Sequence, residues 1–229
     1  MEKIRINDRL MSALDLVREG ARFADVGTDH AYLPIYLLDI GKISCAVASD
    51  INEGPLERAR ENIEKYGYSE RISTVLCDGL TKLKEYDPDD IAVFGMGGEL
   101  IVNIIDEAEW LKNEKKRIIV QPMTHPEKVR EYLAKNGFRV VDEVLSLDRG
   151  KIYQTICAEY DGAVREFDDL TLAVGEHIIK KGGGLLSELL NTLKKQTERR
   201  IDGKTSGGES TEEERSLLLA ISCILEEEK

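Results

Sequence analysis

The chain lacks any apolar stretch near the roughly 20 residues that a membrane-crossing helix needs. Its first residues, Met1-Glu2-Lys3-Ile4-Arg5, are not followed by the apolar segment of a secretion signal. The expectation is a cytoplasmic chain with no membrane partner. Cysteine is scarce. Cys45, Cys77, Cys157 and Cys223 stand far apart, without the spacing of metal ligands or of a disulfide framework. No metal is expected, and the three in apolar strand-like runs read as buried free thiols. Positive charge is in deficit, with 32 Lys and Arg against 44 Asp and Glu, a net charge of −12. Non-specific nucleic-acid binding over the whole surface is thereby disfavoured, so any RNA must meet a local basic patch. Also missing is a Gly-x-Gly-x-x-Gly turn, which removes the usual pyrophosphate cradle of dinucleotide enzymes.

The 229 residues, 41% of them hydrophobic, suffice for one large domain or for a domain with an appendage. The chain is organised around Ala24-Asp25-Val26-Gly27-Thr28-Asp29-His30-Ala31-Tyr32-Leu33-Pro34. The apolar run Phe23 to Val26 reads as a buried strand, Gly27 as a sharp turn, and Tyr32 to Leu38 as a helix packed on a sheet. A strand, a tight glycine turn and a helix N-terminus form a nucleotide-binding unit. One glycine and two acids suit a ligand with positive charge and hydroxyls. S-adenosylmethionine, with its sulfonium and ammonium groups, is such a ligand.

Upstream, Asn7 to Arg18 reads as a helix capped by Asn7 and ended by Gly20. Its Arg5, Arg9 and Arg18 are either solvated or form a phosphate-contacting edge. Downstream, Ile43 to Ile51 is a second strand ending in Ser49-Asp50-Ile51-Asn52. An acid at this point can accept from two ribose hydroxyls. Pro55 lies in the first turn of the following helix, which ends at Gly67. Ile72 to Leu76 is a third strand, followed by Cys77-Asp78-Gly79, a turn or a clamp for an adenine amino group. Asp90 to Phe94 is a fourth strand, ending in Gly95-Met96-Gly97-Gly98, which permits close approach of a ligand or a flat base. Arg117 to Val120 is a fifth, closed by Gln121-Pro122-Met123-Thr124-His125.

Phe138 to Leu147 and Ile152 to Tyr160 alternate around a turn signal and form a hairpin. Five strand-helix units and a hairpin predict a mostly parallel sheet with one antiparallel edge strand. The ligand belongs at the carboxyl ends of the first and fourth strands. From Val164 the strands stop. A helix over about 184–201, a flexible loop over 203–210 and a helix around Leu217 to Leu225 predict an antiparallel hairpin. Lys194, Lys195, Arg199, Arg200 and Lys204 make either a phosphate-tracking ridge or a solvated face balanced by Glu212 to Glu214.

These motifs together, with Ser-Asp-Ile-Asn-Glu-Gly-Pro-Leu, Asp-Gly-Leu, Gly-Met-Gly-Gly, Gln-Pro-Met and Asp-Arg-Gly-Lys-x-Tyr, resemble the bacterial tRNA adenine-N1-methyltransferase family (TrmK-like) over nearly the whole chain. The resemblance departs at the fifth strand, where the family pattern Gln-Pro-Asn is here Gln121-Pro122-Met123. It implies an α/β fold, a class I S-adenosylmethionine-dependent methyltransferase (Rossmann-like) sheet over 1–162, with a C-terminal helical, coiled-coil-like hairpin over 163–229. It also implies methylation of N1 of adenine 22 in tRNA, with S-adenosyl-L-methionine as cofactor and tRNA as partner. The alternatives are a methyltransferase for a small molecule or protein, and a non-catalytic RNA-binding module that keeps the donor fold. The candidate catalytic residues are Asp29 and His30. The candidate donor-binding residues are Asp25, Gly27, His30, Asp50, Ile51, Asn52, Cys77, Asp78, Gly79, Gly95 and Met96. The candidate substrate-binding residues are Tyr32, Gly97, Gly98, Gln121, Pro122, Lys194, Lys195, Arg199 and Arg200. The sequence sets no oligomeric state.

Overall fold

The computed structural model describes residues 4–227. The leader reading at Met1 to Lys3 and the last two residues of the appendage lie outside the described residues. The chain divides into two compact units, Met1–Glu166 and Phe167–Lys229, against the boundary at 162 and 163 read from the sequence.

The first unit is a seven-stranded sheet with helices on both faces. Its elements run α1 (Asp8–Met11), β1 (Ala21–Val26), α2 (Tyr32–Asp39), β2 (Ile43–Asp50), α3 (Glu53–Lys65), β3 (Ile72–Leu76), β4 (Asp90–Met96), α4 (Gly98–Asp106), β5 (Arg117–Pro122), α5 (Pro126–Lys135), β6 (Phe138–Asp148) and β7 (Lys151–Tyr160). The strand order is β3-β2-β1-β4-β5-β7-β6. β1 to β5 are parallel, and β7 runs antiparallel to both neighbours. The expected antiparallel edge strand is thus corrected. β7 lies inside the sheet, and the edge is β6, because β7 folds back between β5 and β6. The hairpin closes through Arg149 and Gly150, both at positive φ (50° and 75°), the two-residue turn whose twist matches the strands.

Alternation along each strand divides the core in two. Phe23, Ala92, Phe94, Ile119 and Cys157 point to one face, under α2 and the N-terminal segment. Ala24, Val26, Ile91, Val93, Ile118, Val120 and Ile156 point to the other, where α4 and α5 bury Ile101, Ile104, Ile105, Val129 and Leu133. The same alternation puts Asp25, Gln121, Tyr153 and Thr155 on the first face at one end of the sheet.

Three expectations on local structure change. The helix expected from Asn7 to Arg18 is only α1, although Asn7 does cap it by accepting from the Leu10 N–H. Beyond Met11 the chain proceeds in turns that bury Ala13, Leu16 and Val17. The Ser12 hydroxyl bonds to the Arg9 carbonyl and to Thr155, which holds this segment on β7 rather than in a continuous helix. Of the cysteines read as buried, Cys77 and Cys157 are, while Cys45 is half-buried. All four thiols are free.

The second unit contains α6 (Asp169–Val174), α7 (Glu176–Lys181), α8 (Gly184–Gly207) and α9 (Glu212–Glu227). α8 and α9 pack together, and Leu186, Leu189 and Leu190 of α8 and Ile221 of α9 are buried. The flexible loop expected over 203–210 is mostly helix. α8 runs through Gly203 to Gly207 and is capped by Gly208, whose N–H bonds to the Thr205 carbonyl. Lys204 pairs with Glu214 of α9 at 2.5 Å, which ties the last turn of α8 to its neighbour.

Candidate active site

The carboxyl ends of β1, β2 and β4 bring the predicted acidic turns together, because parallel strands deliver their following loops to one edge. β1 ends beside β2 with Val26 opposite Ser49, and the Gly27 and Thr28 N–H groups both donate to the Ser49 carbonyl, at 2.8 and 2.9 Å. Gly27 takes φ +76°, and a Cβ there would stand 2.2 Å from Met96 Cε. The turn and the end of β4 therefore touch.

Asp25 is buried at the end of β1. Burial pushes its carboxyl up to about 6, against the Thr28 hydroxyl and the Arg9 charge, which both hold it down. A folded-state value above the unfolded one adds stability that is complete below about pH 4 and is lost as the pH rises through about 6. Asp25→Asn removes that loss. The variant alone is expected to melt above wild type at pH 7, by on the order of 2–3 kcal/mol, with the gap closing by pH 4. Parallel melting curves for both proteins from pH 4 to 8 would refute the assignment.

Asp29 is exposed, with 59% of its side chain accessible. One oxygen accepts from Arg58 of α3 through Nε (3.1 Å) and Nη2, and the other faces His30 Nε2 at 3.3 Å. The His30 ring stacks on Tyr32, with centroids 4.8 Å apart and planes 10° apart, and its carbonyl accepts from Asn62. Asp29 does not cap α2. The Ala31 N–H, at the start of that helix, bonds to the Thr28 hydroxyl at 3.0 Å, and Ala31 itself takes a left-handed conformation.

Asp50 ends β2. Its Oδ1 accepts from the Asn52 N–H at 2.8 Å, and its other oxygen has no partner among the described residues. Ile51 beside it is 59% exposed, an apolar side chain left open at a polar edge. Cys77 follows β3, with its N–H on the Asp50 carbonyl at 3.1 Å and its thiol toward the Gly79 carbonyl. Asp78 is exposed, and a Cβ on Gly79 would meet Ile104 at 3.2 Å. The buried Ser49 hydroxyl lacks a partner among the described residues. An open carboxylate for vicinal hydroxyls, a buried carboxylate, an unsatisfied hydroxyl and an exposed apolar side chain make a donor set for a cationic nucleoside. No group of three metal-ligating residues occurs among the described residues.

Three substrate candidates, Gln121, Pro122 and Gly98, are buried. Gln121 is fully buried. Its amide nitrogen donates to the Arg9 carbonyl (3.1 Å), Ser12 (3.1 Å) and Thr155 (2.7 Å), so its donors are spent on the protein itself. Pro122 is buried beside it, at the end of β5. Gly98 is also buried, pressed on the carbonyls of Thr124 and His125, while Gly97 faces the Thr124 hydroxyl. The three cationic candidates Arg5, Arg9 and Arg18 separate. Arg18 is used up at the opposite end of the sheet by Asp90, the Asp89 carbonyl and the Lys115 carbonyl. Arg9 reaches the site. Its guanidinium lies 5.8 Å from the Tyr153 ring centroid and 3.4 Å from where a Gly95 Cβ would stand.

In the second unit, Lys195, Arg199 and Arg200 are exposed and Lys194 is half-buried. At about 100° per residue, Lys195 and Arg199 share one face of α8, while Arg200 and Lys204 share another. Of the two readings, ridge or balanced solvated face, the second describes Lys204, which pairs with Glu214, while Lys195 and Arg199 remain together on an exposed face.

Arg58 is not marked by its own segment, and Lys151 and Tyr153 belong to the Asp-Arg-Gly-Lys-x-Tyr motif that reads as a hairpin turn, not as part of the site. Only the sheet order brings them to this edge.

The sequence matches the methyltransferase domain family over residues 6–156. It is 35% identical to the tRNA (adenine(22)-N(1))-methyltransferase of Bacillus subtilis over 175 residues, 76% of this chain and 74% of that protein. It is similar to the crystal structure of the B. subtilis m1A22 tRNA methyltransferase TrmK, with a TM-score of 0.80 at 30% identity over 97% of each chain. It is also similar to a Streptococcus pneumoniae protein solved in complex with S-adenosyl-L-methionine, with a TM-score of 0.85 at 29% identity over 96% of this chain and 100% of that one.

Proposed function

The chain belongs to the tRNA (adenine(22)-N1)-methyltransferase family, and from that premise we propose that it methylates N1 of adenine 22 in tRNA, in the cytoplasm, with S-adenosyl-L-methionine as donor. What supports this most is the meeting of the Asp25 to His30 turn, Asp50 and the Cys77 to Gly79 turn at one edge of the sheet. When bound, S-adenosyl-L-methionine supplies an electrophilic methyl group. The residues at this edge divide the remaining work.

The open oxygen of Asp50 takes the ribose hydroxyls. Ile51 gives an apolar face for the purine, and Asp78 accepts from its amino group. Asn52, Cys77 and Gly79 shape that side of the cleft. Gly27, Gly95 and Met96 bound the other side, with Asp25 at the cationic end of the donor. N1 of adenine carries a lone pair, so no strong base is needed. The site mainly aligns the two reactants, an effect worth several kcal/mol. Asp29, exposed on the turn, accepts from the adenine amino group and stabilises the positive charge that develops on the ring. His30, stacked on Tyr32, holds the Asp29 carboxylate on its second side. N1 lies on the pairing edge of the base, so the adenine is read unpaired or flipped out. Lys195 and Arg199 of α8 add a cationic face for the tRNA backbone.

Incubating the protein with unmodified tRNA transcript and methyl-labelled donor tests the reading. Label is expected at N1 of adenine 22, and none when that adenine is replaced by guanine. Absence of label, or label that persists in the replaced transcript, would overturn it.

A further inference from the structure

The β6–β7 hairpin overhangs the active edge. β7 pairs with β5 only up to Ile156 opposite Val120, yet its pairing with β6 continues to Lys151 opposite Asp148. Residues 151–155 therefore run past the last β5 pair, about 17 Å of strand at 3.3–3.4 Å per residue. Tyr153 sits on this overhang, on the same face as the N-terminal segment. Two cations converge on its ring, Arg9 Cζ at 5.8 Å and Lys151 Nζ at 5.2 Å from the centroid, within cation–π reach.

Neither cation has a carboxylate within 4.0 Å among the described residues. Arg18, Arg22, Arg58, Lys116 and Arg117 of this unit are each ion-paired, whereas Arg9 and Lys151, like Arg71 and Lys82, are held by neutral groups. In a chain of net charge −12, acids were abundant enough to neutralise these two as well. The structure instead holds them in place with neutral groups. The buried Gln121 amide donates to the Arg9 carbonyl at 3.1 Å, and its oxygen faces Arg9 Nη1 at 3.5 Å. Lys151 Nζ bonds to the Met123 carbonyl at 3.1 Å. Gly95 offers no side chain beside the guanidinium. Arg9 feels the buried Asp25 charge without forming an ion pair with it, so two cations without a direct carboxylate partner, fixed next to each other, are suited to an anion that arrives from outside.

We propose that Arg9 and Lys151, gathered on Tyr153, grip a phosphate of the substrate RNA next to the target adenine. Gln121 is then a positioning residue that acts through Arg9. The proposal rests on the tRNA reading and names the surface that reading requires. A carboxylate of the donor has the same anionic chemistry, so the measurements must separate the two sources.

The full chain, wild type and variant, is titrated with tRNA across a salt series, with donor by calorimetry, and assayed for KM and kcat. Arg9→Ala and Lys151→Ala are each expected to raise the tRNA Kd and KM roughly tenfold. Each should also reduce the salt slope by about one. Donor Kd stays unchanged and kcat at saturating tRNA is largely kept. Tyr153→Phe retains the ring and behaves as wild type, whereas Tyr153→Leu weakens tRNA as the cation variants do. Unchanged tRNA Kd and slope in folded Lys151→Ala and Arg9→Ala would overturn the proposal. So would a weakened donor Kd with an unchanged tRNA slope, which assigns the pair to the donor's carboxylate. If Arg9→Ala misfolds, Lys151→Ala decides, because its side chain is exposed and its loss removes no core contact. Wild-type protein that binds tRNA with the expected slope yet transfers no methyl group would fail the methyltransferase reading while leaving this one standing.

Discussion

Asp29→Ala is expected to melt near the wild-type temperature, bind donor and tRNA, and transfer the methyl group on the order of 100-fold more slowly or worse in single turnover. The expectation follows from what Asp29 does and does not touch. An aspartate at the mouth of a helix is often a cap, and loss of a cap costs about 0.5–2 kcal/mol of stability. Here α2 has no side-chain cap hydrogen bond, and the Thr28 hydroxyl accepts from the Ala31 N–H that precedes it, so Asp29 does not serve as the cap. What remains is an exposed carboxylate tied to Arg58 and His30. Exposed ion pairs of this kind are worth about 0–1 kcal/mol, too little to move the melting temperature far. A carboxylate aimed at charge that appears only during reaction is worth much more to the rate.

Arg58 makes the test sharper. If Asp29 served only to anchor α3 through that guanidinium, Arg58→Ala would reproduce whatever Asp29→Ala does. If Asp29 acts on the adenine, Arg58→Ala leaves most of the single-turnover rate while Asp29→Ala does not. Asp29→Asn keeps the shape and one acceptor oxygen but loses the charge, and is expected to fall with the alanine variant. Near-normal rates in both Asp29 variants would end the catalytic assignment.

Much of the frame could be read from the chain because burial patterns are local. β3 runs over Ile72–Leu76 as its apolar run predicts, and Arg149-Gly150 closes the hairpin where the turn residues stand. The acidic turns are legible for the same reason, since each lies directly after its strand. The misses have long-range or competing causes. Arg9 stood between a solvated arginine and a phosphate-contacting edge, because its partner Gln121 is 112 positions away and becomes a neighbour only when β5 and the N-terminal segment meet. Gln121 looked like a substrate contact at a strand end, but alternation turns its side chain under that same segment. The antiparallel strand was expected at an edge, since a sequence shows that two strands form a hairpin and not which of them meets the sheet. Gly203 looked like a helix stop, yet the Lys204 to Glu214 pair and packing on α9 carry α8 past it. The short helices α6 and α7, of six residues each, offer too few turns for a periodicity to stand out.

The Gly95-Met96-Gly97-Gly98 run separates room for a base from room for the protein's own backbone, and Gly98→Ala tells them apart. A Cβ at Gly98 would stand 2.3 Å from the His125 carbonyl oxygen and 2.8 Å from that of Thr124. Neither atom can swing aside as a side chain would. The Gly98 N–H also bonds to the Thr124 carbonyl at 2.8 Å, and the Met123 N–H to the Met96 carbonyl at 2.8 Å, so α4 and the loop after β5 are laced together here. The added methyl must pry them apart. Overpacking that backbone cannot relieve costs about 3 kcal/mol or more. In a domain of this size that is on the order of 10 °C in melting temperature. Gly97→Ala meets only the Thr124 hydroxyl at 3.3 Å, which rotates away, and is expected to melt close to wild type. If both glycines instead kept space for the adenine, the two variants would melt alike and both would weaken tRNA binding or slow transfer. A Gly98→Ala protein as stable as wild type would show that the run is there for the substrate. A large stability gap between the two alanine variants would show that Gly98 is there so that α4 and the 121–125 loop can touch.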